Sequence, residues 1–248
     1  MEKIDKTSLP TISVDQMKEI DRLMVEEIGV PIIMMMENAG RAIAHVIRSS
    51  LDGSVQGKTI TVMAGKGNNG GGTLAAARHL LNAGAHVTAL LSNKDSEMTK
   101  PASAQVQILK NSGASLFYFD EVEENKAESI LKDSDIILDG LVGYRLQGDP
   151  RKPISQMINL ANMVDTIVIS NDLPSGLDGE TGEPMNPTVN AYATITLALP
   201  KRGLLSERAL DYTGELYLAD VSVTSSVYRS LKLNIPNIFE KASVVRLV

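Results

Sequence analysis

Three loops hold the residues whose types and spacing could do chemistry, and each follows an apolar stretch. The first, Gly65-Lys-Gly67-Asn68-Asn69-Gly70-Gly71-Gly72, follows a β-branched run over 58–64 and precedes a helix-forming stretch over 74–83. Glycines at Gly65-x-Gly67-x-x-Gly70 let backbone N–H groups close on a phosphate, and a helix N-terminus adds about half a unit of positive charge there. The same pattern without a ligand is a tight strand-to-helix turn. The second loop, Asp139-Gly-Leu-Val-Gly143-Tyr144-Arg145-Leu146-Gln147-Gly148-Asp149, places a carboxylate just past an apolar strand. That carboxylate can ligate a cation, accept a ligand hydroxyl, or cap the turn. The third, Asn171-Asp172-Leu-Pro174-Ser175-Gly176-Leu-Asp178, fixes a rigid turn through its proline and glycine. A carboxylate at Asp172 is then held in one direction, as a general acid/base requires.

Other chemistries find little support. There is no cysteine, so disulfides, thiolate metal sites and thiol nucleophiles are excluded. The three histidines, His45, His79 and His86, have no metal-ligand spacing and read as structural or solvent-facing. Met34-Met35-Met36 reads as core filler, and the acidic segment 120–128 as a solvated helix face. The strand expected after the first loop ends Leu90-Leu91-Ser92-Asn93, with Asp95 only later, so the acid that usually takes a dinucleotide's ribose hydroxyls is missing.

The elements that must position these loops follow from periodicity. Ser13 and Gln16 form a capping-box pattern ahead of Met17, Ile20, Met24 and Ile28, predicting a helix that Gly29 and Pro31 stop. A second helix is predicted over 32–47. Strands are predicted over 58–64, 86–91, 115–119, 136–138, 166–170, 193–199 and 215–219, and further helices over 74–83, 101–111, 122–132 and 154–163. Strands alternating with helices imply crossovers and a mostly parallel sheet covered on both faces, a doubly wound α/β fold. The last two strands are expected at one sheet edge. The 248 residues read as one domain, with an N-terminal helical segment over 13–50, a core over 58–223 and a C-terminal tail over 224–248. Ligands of such sheets sit beyond the carboxyl ends of the strands, so the three loops are expected to converge.

A net charge of −6 argues against a duplex nucleic-acid binder, whose affinity comes mostly from neutralised phosphates. The apolar run 30–36 is too short to cross a bilayer about 30 Å thick, and the polar N-terminus does not read as a signal peptide. A cytoplasmic protein without a membrane partner is expected.

Five ordered blocks together resemble the YjeF N-terminal-domain family, the NAD(P)HX epimerases. They are Met36-Glu-Asn-Ala-Gly40, Gly67-Asn-Asn-Gly-Gly71, the Asp139 loop, Asp172-Leu-Pro-Ser-Gly-Leu-Asp178 and Pro200-Lys-Arg-Gly-Leu-Leu205, within a likeness running from about Ser13 to Val223. The resemblance implies a Rossmann-like, commonly dimeric protein that binds hydrated NADH or NADPH and one potassium ion. It implies Asn69, Asp139 and Ser175 as potassium ligands. Substrate contacts are implied at Asn68, Asn69, Gly70, Gly71 and Gly72, at Gly143, Tyr144, Arg145, Leu146, Gln147, Gly148 and Asp149, and at Asp172, which is also the candidate general acid/base. Family members are often fused to a dehydratase that completes the repair, and this chain is too short to contain one, so a separate dehydratase is the expected functional partner. The family pattern continues Gly-Gly-Asp-Gly where this chain has Gly70-Gly71-Gly72-Thr73. Losing a carboxylate that accepts ligand hydroxyls is expected to weaken binding by about 1–3 kcal/mol. Thr73 is a candidate helix cap. Two other readings stand beside this one: a catalytically weakened nucleotide- or RNA-associated binding module of the same fold, and an ordinary Rossmann oxidoreductase.

Overall fold

The computed structural model describes residues 1–248. Nine strands form one sheet: β1 Lys3–Ile4, β2 Thr59–Ala64, β3 His86–Leu91, β4 Ser115–Tyr118, β5 Ile136–Gly140, β6 Ile167–Asn171, β7 Ala193–Leu197, β8 Glu215–Ala219 and β9 Val244–Leu247. The helices are α1 Val14–Leu23, α2 Ile32–Ser50, α3 Asn68–Asn82, α4 Lys100–Asn111, α5 Glu124–Lys132, α6 Ile154–Met163, α7 Leu210–Thr213 and α8 Ser225–Ser230. None is long and apolar enough to cross a membrane.

The strand order is β1-β9-β8-β7-β6-β5-β2-β3-β4, and every pair is parallel except β8 with β9. From β2 the chain winds outward to β3 and β4, then returns to β5 on the other side of β2 and winds away through β6, β7 and β8. The winding direction therefore reverses between β2 and β5, and the crevice at such a switch point is where doubly wound sheets bind ligands. Register aligns the strand ends there: Ala64 lies opposite Gly140, Met63 opposite Asp139, and Asp139 opposite Ser170. The loops after β2, β5 and β6 consequently open at one level.

Packing covers both sheet faces. Ile43 and Ile47 of α2 and Leu74 and Leu80 of α3 lie with Ile60 and Val62 in one apolar cluster. On the opposite face Met63 and Ile137 meet Leu131 of α5 and Met157 of α6. A third cluster joins Ile20 of α1 to Leu199, Leu218 and Val245, fastening the N-terminal helix to the late strands.

The capping box at Ser13 forms as the sequence reading expects, with Ser13 Oγ accepting from Gln16 N and Gln16 Oε1 accepting from Ser13 N. The helix behind it ends in a π turn over Met24–Ile28, closed by left-handed Gly29. The structure corrects three other expectations. Helix α3 begins at Asn68, not Leu74, so Gly70, Gly71 and Gly72 lie in its first turns. The glycines are needed for contact: a Cβ on Gly70 would lie 2.0 Å from Gly65 O, and one on Gly71 2.6 Å from Met36 Cε. Thr73 is therefore interior and caps nothing; its hydroxyl donates to Gly70 O at 2.8 Å. Finally, β8 is not at the edge. Residues 224–248 supply α8 and β9, and β9 joins β8 to β1. The short apolar run Val244–Leu247 lies far beyond the last alternation and carries no helix to announce it.

Candidate active site

A cavity of about 480 Å³ opens at the switch point, a size suited to a small ligand. Its walls come from α1 and α2, the start of α3, the segment 141–147, and Asn171 and Asp172 at the end of β6.

Asp172 stands in the cavity wall at the end of β6. Its φ is +67°, and the N–H of Leu173 donates to Asn171 O at 2.8 Å, so the strand ends in a tight three-residue turn. Aspartate and asparagine tolerate this left-handed backbone better than most residues, yet such a conformation still costs about 1–3 kcal/mol and survives only where its surroundings fix it. Here they do: Asp172 N donates to Ile195 O at 2.7 Å, while Pro174 and Gly176 shape the following turn. The carboxylate is almost fully buried. One oxygen pairs with Lys201 Nζ, and the other accepts from Tyr144 N at 3.4 Å.

Lys201 is fully buried, which is rare for lysine unless it is paired. Besides Asp172 it donates to Leu197 O at 3.0 Å and Thr196 Oγ1 at 3.4 Å, and its ammonium lies 5.9 Å from the Tyr144 ring centroid. All three donor directions of the ammonium are thus used. Sequence reasoning included Lys201 in a motif without giving it a role, because the pairing spans 29 positions and a single lysine carries no periodic signal.

Asp139 lies at the end of β5 and is fully buried. Its Oδ1 accepts from Ser175 Oγ at 2.6 Å and Leu141 N at 3.2 Å; its Oδ2 accepts from Ser175 N and Ser170 Oγ, both at 2.8 Å. Burial pushes this carboxyl above the usual range, and the bonds from Ser175, Ser170 and Leu141 oppose it. No lysine, arginine or histidine forms an ion pair with it. Ser175 Oγ also lies 3.1 Å from Val142 O, so a carboxylate, a hydroxyl and a carbonyl gather beneath the cavity. No three histidine, aspartate or glutamate side chains converge, and the donor set is all oxygen, which suits a hard monovalent cation.

Asn69 stands at the cavity wall. A Cβ on Gly143 would come within 3.1 Å of Asp172 Oδ2 and 3.3 Å of Asn69 Oδ1, so the absent side chain is what lets these two groups flank one point. The structure thus brings Asn69 and Asp172 together around Gly143 at the cavity, and Asp139 and Ser175 together as a separate bonded pair that does not line it. Of the expected substrate contacts, Asn68, Asn69, Gly72, Gly143, Tyr144, Arg145, Leu146, Gln147 and Asp172 line the cavity. Gly70 and Gly71 do not, being packed inside the helix junction. Nor do Gly148 and Asp149; Gly148 makes a left-handed turn, and Asp149 Oδ1 accepts from Asn186 N at 2.9 Å instead. Met35 and Met36 are buried, as expected of core filler, and also form part of the cavity wall, whereas Met34 is exposed.

Asp21 is a second carboxylate at the cavity that sequence reasoning did not single out. Tyr144 OH donates to Asp21 Oδ2 at 2.5 Å, and Arg145 Nη2 reaches the same oxygen at 3.4 Å, tying the 143–149 loop to α1. The available signal was its place four residues after Met17, on the apolar stripe of an amphipathic helix. Burial is the main cause that raises the Asp21 carboxyl above its ordinary value of 3.8. An acid raised on folding binds its proton more tightly in the native state, so native stability falls as pH rises from that ordinary value through the raised one. Asp21→Asn removes this component. Urea titrations at a series of pH values are expected to show the stability of the unaltered protein, relative to the variant, declining across that window. A difference that stays flat would refute this assignment.

Comparison with known proteins places these features in a family. The family model described as YjeF-related protein N-terminus matches residues 33–203. The NAD(P)H-hydrate epimerase of Dehalogenimonas lykanthroporepellens is 37% identical over 241 residues, covering 97% of this chain and 94% of that protein. The NAD(P)H-hydrate epimerase of Rhodopirellula baltica is 33% identical, covering 91% and 89%. A bifunctional NAD(P)H-hydrate repair enzyme of Moorella thermoacetica is 33% identical over 90% of this chain, which spans 42% of that longer protein. A yeast protein of known crystal structure superposes with a TM-score of 0.83 at 25% identity, covering 96% of this chain and all of the other.

Proposed function

This chain belongs to the YjeF N-terminal family, and on that premise we propose that its cavity interconverts the R and S epimers of hydrated NADH and NADPH. It is an NAD(P)H-hydrate epimerase. The observation that carries this reading is Asp172, fixed in a strained turn at the cavity and paired with a fully buried lysine.

The substrate is a carbinolamine, with a hydroxyl and the ring nitrogen on one carbon. That carbon inverts only when one of its bonds opens and closes again, and each opening moves a proton to or from oxygen or nitrogen. Asp172 is the general acid/base that carries this proton. Asp172 takes the proton when the bond opens and returns it on closure, while its ion pair with Lys201 holds the carboxylate in place. The donor from Tyr144 N holds the second carboxylate oxygen, leaving little freedom for the group to turn away. Met35, Met36 and Leu141 give the cavity apolar walls, which strengthen these charge interactions by excluding water.

Asp139, Ser175 and Asn69, with the carbonyl of Val142, would hold one potassium ion. The ion would neutralise a buried carboxylate that has no cationic partner and stiffen the 141–143 segment carrying Gly143 between Asn69 and Asp172. The protein is read as a cytoplasmic homodimer acting with a separate dehydratase; the bifunctional repair enzymes among its relatives support a second repair activity working beside it. A nucleic-acid scaffold has no need for a buried aspartate–lysine pair facing a small-molecule cavity, and a dehydrogenase site lacks its ribose acid.

The test adds purified protein to R-NADHX together with a dehydratase that consumes only the S epimer, in potassium or choline chloride. Consumption of the R form well above its spontaneous rate, and faster with potassium, is expected. A rate equal to the spontaneous one in both salts would overturn the proposal.

A further inference from the structure

Asn171 and Asn69 form a side-chain pair in the cavity wall, and we infer that this pair recognises the carboxamide of the substrate's nicotinamide ring. The inference rests on the epimerase reading and adds a residue, Asn171, to the binding surface. Asn171 is fully buried at the end of β6. Its Nδ2 donates twice to Asn69, to the side-chain Oδ1 at 2.9 Å and the backbone O at 3.2 Å. That leaves Asn171 Oδ1 and Asn69 Nδ2 with no partner, two of the three buried side-chain polar atoms in the chain that lack one. Both residues line the cavity.

Buried amides left half-bonded cost free energy unless a ligand completes them. What the pair holds in reserve is one acceptor and one donor. The second bond, to the Asn69 backbone carbonyl, fixes the Asn171 amide this way round, so Asn171 supplies the acceptor and Asn69 the donor. A primary carboxamide is the matching group, since its NH₂ can donate to one and its carbonyl accept from the other. A carboxylate offers two acceptors and no donor, so it leaves the acceptor of the pair facing a like charge.

Gly72 belongs to the same arrangement. A Cβ there would lie 3.3 Å from Asn171 Nδ2, its closest neighbour, so glycine leaves the space in which the Asn171 amide stands. The Asn171 carbonyl also accepts the bond that closes the Asp172 turn, so the amide that grips the ring is built onto the backbone that aims the base.

The experiment compares two stable dinucleotides as competitors of NADHX epimerisation: NADH, and its counterpart with a carboxylate in place of the carboxamide. The unaltered protein is expected to favour NADH by about tenfold or more. Asn171→Leu, which keeps the shape and removes both polar atoms, is expected to erase that preference and raise KM for NADHX by about tenfold, with a much smaller change in kcat. Equal inhibition by the two dinucleotides in the unaltered protein would overturn the inference even if Asn171→Leu fails to fold. So would an undiminished preference in a folded Asn171→Leu. Absence of epimerisation in the unaltered protein, with direct binding still favouring NADH, would instead refute the epimerase reading and leave the carboxamide contact standing.

Discussion

Asp172→Asn is expected to reduce epimerisation by about two to four powers of ten, the contribution of a positioned general acid/base. The replacement is chosen because the backbone should not notice it. Asparagine adopts the left-handed φ of this turn as readily as aspartate, and its amide has the size of the carboxylate. The bond from Leu173 N to Asn171 O and that from Asp172 N to Ile195 O both use main-chain atoms, so the turn keeps its closure. What is lost, on the proposed mechanism, is the group that takes the proton from the substrate and gives it back. Dinucleotide binding, measured by titration of NADH, should remain. A variant that turns over within a factor of about ten of the parent would remove Asp172 from this role.

Lys201→Met is expected to destabilise the protein by about 3–5 kcal/mol, because it strands the Asp172 carboxylate in the interior without its counter-charge. Asp172→Asn alone strands Lys201 in the same way and is expected to be less stable than the parent. The double variant, Asp172→Asn with Lys201→Met, has no buried charge to compensate, and an ion pair replaced by neutral groups of similar volume is often close to neutral in stability. Chemical denaturation of the four proteins should therefore show two unstable single variants and a double variant that recovers most of the loss. Epimerisation should not recover with it. Additive losses in the double variant would show that Lys201 stabilises the fold through its contacts to Leu197 and Thr196 and not through Asp172.

Much of this site is legible in the sequence. The three loops announce themselves because each follows a strand that alternation already marks, and parallel winding forces their ends to one side of the sheet. Asn69 and Asp172 line the switch-point cavity, as that argument expects, while Asp139 and Ser175 bond to each other outside its lining. The residues it missed share a cause: their roles depend on partners remote in the chain. Lys201 has no meaning without Asp172, and Asp21 none without Tyr144, 123 positions away. The glycines of α3 misled for a different reason. Propensity places Gly70, Gly71 and Gly72 outside a helix, but the helix packs so closely, Gly70 on Gly65 and Gly71 on Met36, that only glycine fits at those two positions, and packing overrides propensity. The strand Val244–Leu247 stayed hidden because a short apolar run pairs only when a neighbouring strand such as β8 offers its edge.

The central claim, that one buried aspartate at the switch-point cavity inverts the hydrated carbon, is tested most directly by separating the two epimers over time. Pure S-NADHX is incubated with the unaltered protein, with Asp172→Asn, or alone, and the growth of the R form is followed by chromatography. The account predicts rapid approach to the equilibrium mixture with the unaltered protein, and growth near the spontaneous rate with Asp172→Asn. Equally fast growth with both proteins would contradict it.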